Sequence, residues 1–254
     1  MRKITKLMIV ILCNYSCGIY RQNVVNVPAI TQKGQLQLSA HQSFNGSEIH
    51  GSYSLTNNLA VMANYGSIGD KEENNSSNKS IQNHYFKEIG LGIYKQTAPN
   101  NNQTIKEVFV LAGQGFTSKY TETYVGSKTK FDFKEAYYDR FGIQMDYGKK
   151  INEFSWFISP RLLYVNYYGI KDTTIEISRQ QANSFIRGEI AVTYRYHFNP
   201  YISLSGQSCI TVPITDYFDN IVYDDFAVYN VSLGLVININ LFKFKPTKYS
   251  LPNK

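Results

Sequence analysis

Large aliphatic residues alternate with small or polar ones along most of the chain. The stretch 230–241, NVSLGLVININL, shows the pattern most fully, with Val, Leu or Ile at every odd position and mostly Asn, Ser or Gly at the even ones. Successive side chains of a strand point to opposite faces, so a period of two predicts a strand with one apolar face. No window after residue 16 shows a convincing helical period, and we therefore predict an all-β chain.

Ten strands are predicted, joined by short and long links in alternation. The strands span 35–43, 47–55, 59–67, 84–96, 104–118, 131–148, 153–168, 183–198, 200–213 and 226–242. Short turn-forming links lie at 55–58, 98–102, 149–152 and 199–200, and long polar ones at 68–83, 119–130, 169–182 and 214–225. This rhythm predicts an up-and-down antiparallel transmembrane β-barrel of about ten strands (eight to twelve), with tight turns on the periplasmic side. Only the first hairpin, 44–47, is short where a long loop is expected.

Alternation alone does not distinguish a membrane barrel from a soluble, lipocalin-like ligand-binding lipoprotein, because the two differ in which face points outward. The faces opposite the aliphatic ones carry mainly Asn, Ser, Gly and opposite charges, which suits a narrow lumen. Aromatic residues recur towards strand ends, as in the headgroup belts of membrane barrels. They include Tyr147, Trp156, Tyr164, Tyr194, Tyr196 and Tyr229. We therefore predict that the aliphatic faces point outward, into lipid.

The N-terminus has the pattern of a signal peptide. Arg2, Lys3 and Lys6 precede an apolar run at 7–13, which is too short to span a membrane, and Ser16-Cys17 follows. A small residue before a cysteine is what lipoprotein signal peptidase requires, so Cys17 is predicted to carry a covalent lipid. Ordinary cleavage nearby is the alternative. The expected organisation is a signal peptide at 1–16, an extended lead-in at 17–34, the barrel at 35–242 and a tail at 243–254.

Composition narrows the possible partners and chemistry. The net charge of +7 is scattered, with no basic helix and no nucleic-acid motif, so no nucleic-acid partner is expected. After signal removal only Cys17 and Cys209 remain, which leaves no internal disulfide framework. No zinc spacing, phosphate loop or nucleophile elbow is present, and no cofactor or metal is expected beyond the lipid.

The last strand and the N-terminal segment resemble known outer-membrane signals. Ser232, Gly234, Ile237 and Ile239 have the spacing of the C-terminal β-signal, which implies the barrel assembly machinery as a partner.

A second set of residues resembles a small outer-membrane β-barrel lipoprotein family of Bacteroidota that has no established activity. This set is Cys17, Tyr20, Asn26-Val27-Pro28, Lys33-Gly34, Asn45-Gly46 and the run Tyr53…Thr56-Asn57-Asn58…Val61-Met62-Ala63-Asn64. The resemblance implies an outer-membrane location. No acidic surface-export tag follows Cys17, so we expect an anchor on the periplasmic side.

Two kinds of candidate site follow from the faces of the strands. His41, His50 and His197 are predicted in the lumen and His84 at a loop edge. An outer-membrane lipid-modifying enzyme would combine one of these histidines with Ser39, Ser52 or Glu48. Lumen positions are polar in any barrel, however, so we favour a non-enzymatic protein with a structural, surface-binding or narrow-pore transport role and outer-membrane lipids as partners.

Charged residues also fall on the predicted lumen faces. They are Lys134, Arg140, Asp146, Arg161, Arg187, Glu189 and Arg195. One interpretation is an anion-selective passage, and the other is a charge network that fills the interior. A barrel of about ten strands leaves little or no channel, so the internal network is favoured.

Overall fold

A computed structural model describes residues 22–43, 46–75, 78–97, 102–125, 128–172, 183–214 and 229–241. These residues form ten strands, the number predicted. They are β1 (Gln35–Ser43), β2 (Gly46–Ser54), β3 (Leu59–Asn75), β4 (Asn78–Gln96), β5 (Asn102–Val125), β6 (Lys128–Ile151), β7 (Phe154–Asp172), β8 (Asn183–His197), β9 (Ile202–Pro213) and β10 (Tyr229–Asn240). No helix among the described residues is long and apolar enough to cross a membrane.

The ten strands close into one barrel. Each pairs antiparallel with its neighbours in the chain, and β1 pairs with β10 over nine residues, from Gln35 opposite Asn240 to Ser43 opposite Ser232. The predicted up-and-down transmembrane-type barrel is thereby confirmed as the fold. Closure leaves no open sheet edge, so backbone groups along the whole circumference have partners in a neighbouring strand.

The strands on one side of the barrel are longer than predicted. The sequences at 68–83 and 119–130 were predicted as loops, but β3 and β4 extend as far as Asn75 and Asn78, and β5 and β6 as far as Val125 and Lys128. The prediction failed because it took polar composition as a loop signal. A hairpin ladder outside the bilayer needs no apolar face, since its backbone hydrogen bonds suffice and its side chains are in water. Residues 173–182 and 215–228, which include most of the other two predicted loops and the first three residues of the last predicted strand, lie outside the described residues.

The aliphatic faces point away from the lumen. On β10, Leu233 is 59% exposed whereas its neighbour Ser232 is 5% exposed, and the same alternation runs through β8 and β9. On β5, whose faces the sequence left ambiguous, Val108 and Val110 face outward while Phe109 and Leu111 are buried inside. The lipocalin-like alternative is therefore wrong, because a soluble barrel would bury its aliphatic face.

Aromatic rings border the outward aliphatic surface at both ends. Towards the long-strand end, Tyr85, Phe116, Tyr137 and Tyr168 stand side by side on four adjacent strands, with ring centroids 5.4, 4.9 and 6.0 Å apart. Towards the short-turn end, the rings of Tyr147 and Trp156, of Phe154 and Tyr196, and of Tyr196 and Phe198 pair at 5.9, 5.0 and 5.2 Å. Of the other predicted aromatic residues, Tyr164 and Tyr194 also face outward, and Tyr229 stands at the outer end of β10.

The spacing of the two belts matches a bilayer. Tyr137 and Tyr147 lie ten residues apart on β6, which corresponds to roughly 33 Å along the strand and, at a tilt of about 40°, to an apolar band about 25 Å tall. The outward-facing Glu135 lies beyond the upper belt and pairs with Lys171 at 3.0 Å, where water can solvate both. The barrel thus has the dimensions of a membrane-spanning one.

The barrel wall differs greatly in height around its circumference. β1 and β2 have 9 residues each, the number needed to cross a bilayer, whereas β5 and β6 have 24. The β1–β2 hairpin therefore ends near the membrane surface, and the opposite side rises well above it. We call the β1–β2 hairpin the low wall.

A charge placed in the apolar band tests the membrane assignment. Ala112 and Ser118 are both small, outward-facing residues on β5, the first opposite Phe141 inside the band and the second beyond Phe116 of the upper belt. We expect Ala112→Arg to lower the free energy of unfolding by about 2–4 kcal/mol and Ser118→Arg by less than about 1 kcal/mol, because only the first charge is placed in hydrocarbon. Urea unfolding in lipid vesicles measures both, and equal effects would contradict the assignment.

Candidate functional site

The lumen is occupied by the chain's own N-terminal segment. Residues 22–30 (QNVVNVPAI) form no strand, yet Gln22, Val25 and Ile30 are at most 1% exposed inside the barrel. We call residues 22–30 the lumen segment. The segment is extended, as its proline predicts, but it lies within the barrel rather than leading up to it as the sequence analysis expected.

Side chains of the barrel wall provide hydrogen bonds to the peptide groups of the lumen segment. The backbone N–H of Val24 donates to Glu48 at 2.8 Å, and that of Val25 donates to the side-chain oxygen of Gln207 at 2.7 Å. Gln207 in turn donates to the Val25 carbonyl at 2.8 Å. A buried peptide group without a partner is costly, and a segment with no ladder must find its partners among side chains.

The same pattern continues around the middle of the segment. The Asn26 carbonyl accepts from Gln144 at 2.6 Å, and the Val27 carbonyl accepts from Gln37 at 2.9 Å and also from Arg195. The Asn26 amide donates to Asn64 at 2.7 Å. Pro28 has no N–H to satisfy, which removes one donor from the crowded interior.

Glu107 holds the lower end of the lumen segment. Its two carboxylate oxygens accept from the N–H groups of Ala29 and Ile30, at 3.1 and 2.8 Å. Ala29 has φ +49°, in the left-handed region that alanine seldom adopts. That conformation aims two successive N–H groups at one anion, so the carboxylate compensates for the backbone strain.

A network of buried charges lies beside the segment. Glu88 forms an ion pair with Arg140, with the charged atoms 2.8 Å apart, and lies 3.7 Å from Arg161. Arg161 also donates to Glu189 at 2.8 Å. Arg140 also donates to the Asn23 side chain at 2.6 Å and places its guanidinium over the Phe86 ring, 4.6 Å from the centroid. Charges in a low-dielectric interior are tolerated when paired in this way.

The structure places most of the residues predicted on the lumen faces inside the barrel. Arg140, Arg161, Arg187, Glu189, Arg195, His41 and His50 are each at most 5% exposed. The Arg187 guanidinium lies 5.6 Å from the Phe185 ring, and Asp146 accepts from Gln144. Lys134 is half-buried towards the long-strand end. Glu88 and Glu107 were missed by the sequence analysis. Alternation with Ile89 and Leu91 could have identified Glu88, but the ambiguous faces of β5 concealed Glu107.

Three of the four histidines, His41, His50 and His84, are buried, and His197 is half-buried. The His50 ring accepts from or donates to Glu48 at 3.2 Å and lies 5.1 Å from the His41 ring. Ser52, which the enzyme hypothesis would use, bonds the Asn26 amide at 3.2 Å, so this cluster lies directly against the lumen segment. His84, predicted at a loop edge, is instead 1% exposed within β4, because β4 continues past it.

His197 borders a cavity of about 350 Å³ at the short-turn end. Its two ring nitrogens bond Ser155 at 2.9 Å and Ser203 at 2.7 Å, and neither bonds a carboxylate. A serine–histidine pair that acts as nucleophile and base normally has a third group, usually acidic, to orient the imidazole. Among the described residues, no group of three or more His, Cys, Asp or Glu is arranged to hold a metal ion.

The β-signal residues of β10 have structural surroundings of their own. Ser232 faces inward and Ile237 outward. A Cβ at Gly234 would come within 2.3 Å of the His41 ring, so the absence of a side chain at this position lets the imidazole pack against the strand. The glycine therefore has a packing role whether or not the assembly machinery recognises it.

The barrel is closed by ten strands and has an aliphatic exterior, two aromatic belts and an interior in which buried polar and charged side chains lie beside an apolar cluster. These features define the class: this is an outer-membrane β-barrel fold. No family model matches the chain, and no curated protein matches its sequence. Among solved structures it is similar to the outer membrane protease OmpT from Escherichia coli, with 10% identity and a TM-score of 0.45 over 82% of this chain and 94% of that one. It is also similar to the translocator domain of the autotransporter NalP from Neisseria meningitidis, with 7% identity and a TM-score of 0.36 over 92% and 95%. Likenesses this distant carry no argument about activity.

Removal of the central carboxylate tests the charge network. We expect Glu88→Gln to lower the free energy of unfolding by about 3–5 kcal/mol, because the buried Arg140 guanidinium loses its counter-charge and Arg161 keeps only Glu189. Glu135→Gln is the matched control. It removes the partly exposed partner of the exposed Lys171 and is expected to cost less than about 1 kcal/mol. Urea unfolding in lipid vesicles compares the two, and a Glu88→Gln effect no larger than that of Glu135→Gln would show that the network contributes little to stability.

Proposed function

We propose that this chain is a non-enzymatic outer-membrane protein that acts through its outer rim, as a structural or surface-binding barrel, and not as an open pore. The observation that supports this most directly is the lumen segment. It is buried along its length and hydrogen-bonded to several strands, so it occupies the path that a solute would take.

The shape of the barrel supports a role at the cell surface. With the short turns on the periplasmic side, β3 to β7 extend beyond the upper aromatic belt and present a raised collar to the medium. The outer side chains of this collar include Glu135 and Lys171, which form an exposed ion pair. A rim of paired strands is a stiffer platform for contacts with a surface ligand than flexible loops would be.

The arrangement of the histidines supports the non-enzymatic proposal. A catalytic group must reach its substrate, and His41 and His50 lie under the lumen segment with almost no exposure. His197 is more accessible, but its partners are two serines. Turnover of lipid A or phospholipid that is lost in His41→Ala or His50→Ala would contradict this proposal.

Conductance in planar lipid bilayers tests the sealed lumen. The wild-type protein is expected to show no stable channel steps. Deletion of residues 22–30 is expected to produce them, because it removes the backbone that fills the path. A nine-residue deletion at 173–181, in the connection between β7 and β8, is the length-matched control and is expected to stay silent. Steady wild-type conductance would contradict the proposal, and silence of the 22–30 deletion would show that wall side chains seal the lumen without the segment.

We also propose that Cys17 is acylated, as its position after Ser16 predicts. Cells grown with labelled palmitate are expected to label the wild-type protein, and Cys17→Ser is expected to lose the label because the thiol is the site of attachment. Cys209→Ser is the control. Cys209 is 1% exposed within β9, so its replacement is expected to leave labelling unchanged. Label retained in Cys17→Ser would contradict acylation at this position.

A further inference from the structure

The lumen segment runs along the barrel axis without reversing direction. Its lower end bonds residues near the short turns: Thr31 donates to Gln35, the first residue of β1, and the Val27 carbonyl accepts from Gln37. Its upper end bonds residues near the opposite ends of their strands. The segment therefore runs from the outer half of the lumen down to the start of β1.

The upper end of the segment lies level with the top of the low wall. The Val24 N–H bonds Glu48, the third residue of β2 counted from its outer end. The Gln22 carbonyl accepts from Asn230 at 3.0 Å, and Asn230 is the second residue of β10 counted from the same end. Gln22 is thus within a residue or two of the rim on the side where the wall is shortest.

Around the upper part of the lumen segment, buried side chains of the wall contact the segment from several strands. At the level of the segment, the surrounding side chains include Glu48, Gln144, Arg140 and Gln207, each at most 4% exposed and each in contact with the segment. A second passage of chain beside the segment would have to displace these side chains from their contacts. A chain that returned to the short-turn end would need such a second passage beside the first.

We infer that the chain preceding Gln22 leaves the lumen through its outer mouth, over the low wall, so that Cys17 and its lipid lie on the cell-surface side of the outer membrane. This inference rests on the proposed orientation, with the short turns in the periplasm. It reverses the periplasmic anchor expected from the sequence. It also needs no export tag after Cys17, since the barrel itself provides the passage.

The distances allow this route. Four residues lie between Cys17 and Gln22, and the five residue steps from one to the other span at most about 17 Å when extended. One layer of sheet is about 10 Å thick, so the reach is enough to cross a wall whose top lies at the membrane surface. The acyl chains would then enter the outer leaflet beside β1 and β2, where Ile49 is 62% exposed on the outer face.

Labelling of single cysteines on intact cells tests the inference. Ile19→Cys and Arg21→Cys are made separately in the otherwise native chain and are treated with a membrane-impermeant maleimide. In that chain Cys209 is buried and the Cys17 thiol is acylated under the proposal, so labelling is compared with that of the unsubstituted chain. Both are expected to be labelled in intact cells, because both precede the point at which the segment reaches the mouth. Heat-modifiable migration in gels shows that each variant is folded.

Two control positions fix the orientation independently. Lys171→Cys, on the exposed outer part of β7, is expected to label in intact cells, whereas Asn57→Cys, in the turn between β2 and β3, is expected to label only after permeabilisation. The inference is overturned if Lys171→Cys and Asn57→Cys give these results while neither N-terminal cysteine is labelled in intact cells. This holds whether the N-terminal cysteines are labelled only after permeabilisation or not at all in the folded protein. If the controls themselves are reversed, the proposed orientation fails. Cys17→Ser tests acylation separately.

Discussion

The structure depends on one requirement, that every peptide group removed from water must have a hydrogen-bond partner. The closed ladder satisfies this for the ten strands. The lumen segment has no ladder, and glutamate, glutamine and arginine side chains of the wall take its place. Glu48, Gln207 and Glu107 therefore bond backbone, which explains why so many long polar side chains are fully buried in a barrel this narrow.

The same requirement explains which parts of the fold were predictable. An apolar face in lipid and a polar face in the lumen produce a period of two, so the strand count, the up-and-down order and the outward direction of the aliphatic faces followed from patterns such as 230–241. The halves of β3 to β6 that lie beyond the bilayer could not be predicted from the pattern, because strands in water need no apolar face. Polar stretches such as 119–130 have the composition of loops whether or not they pair.

The candidate site was predictable only in part, and for a related reason. Arginines on clearly alternating strands, such as Arg187 and Arg195, could be assigned to the interior one strand at a time. The contacts of Glu107 with Ala29 and Ile30 join positions 77 and 78 residues apart through a side chain, and no periodicity records such a contact. The segment QNVVNVPAI gives no sequence signal of burial in a lumen, because its partners lie on distant strands.

The seam between β1 and β10 constrains the order in which the molecule can assemble. Residues 31–34 form a turn that leads from the lumen segment into β1, and β1 completes the circle by pairing with the last of the ten described strands. A segment that is hydrogen-bonded to several strands cannot easily be inserted into a barrel that has already closed. The open sheet must therefore close around the lumen segment. The interior side chains bond the segment before β1 and β10 pair.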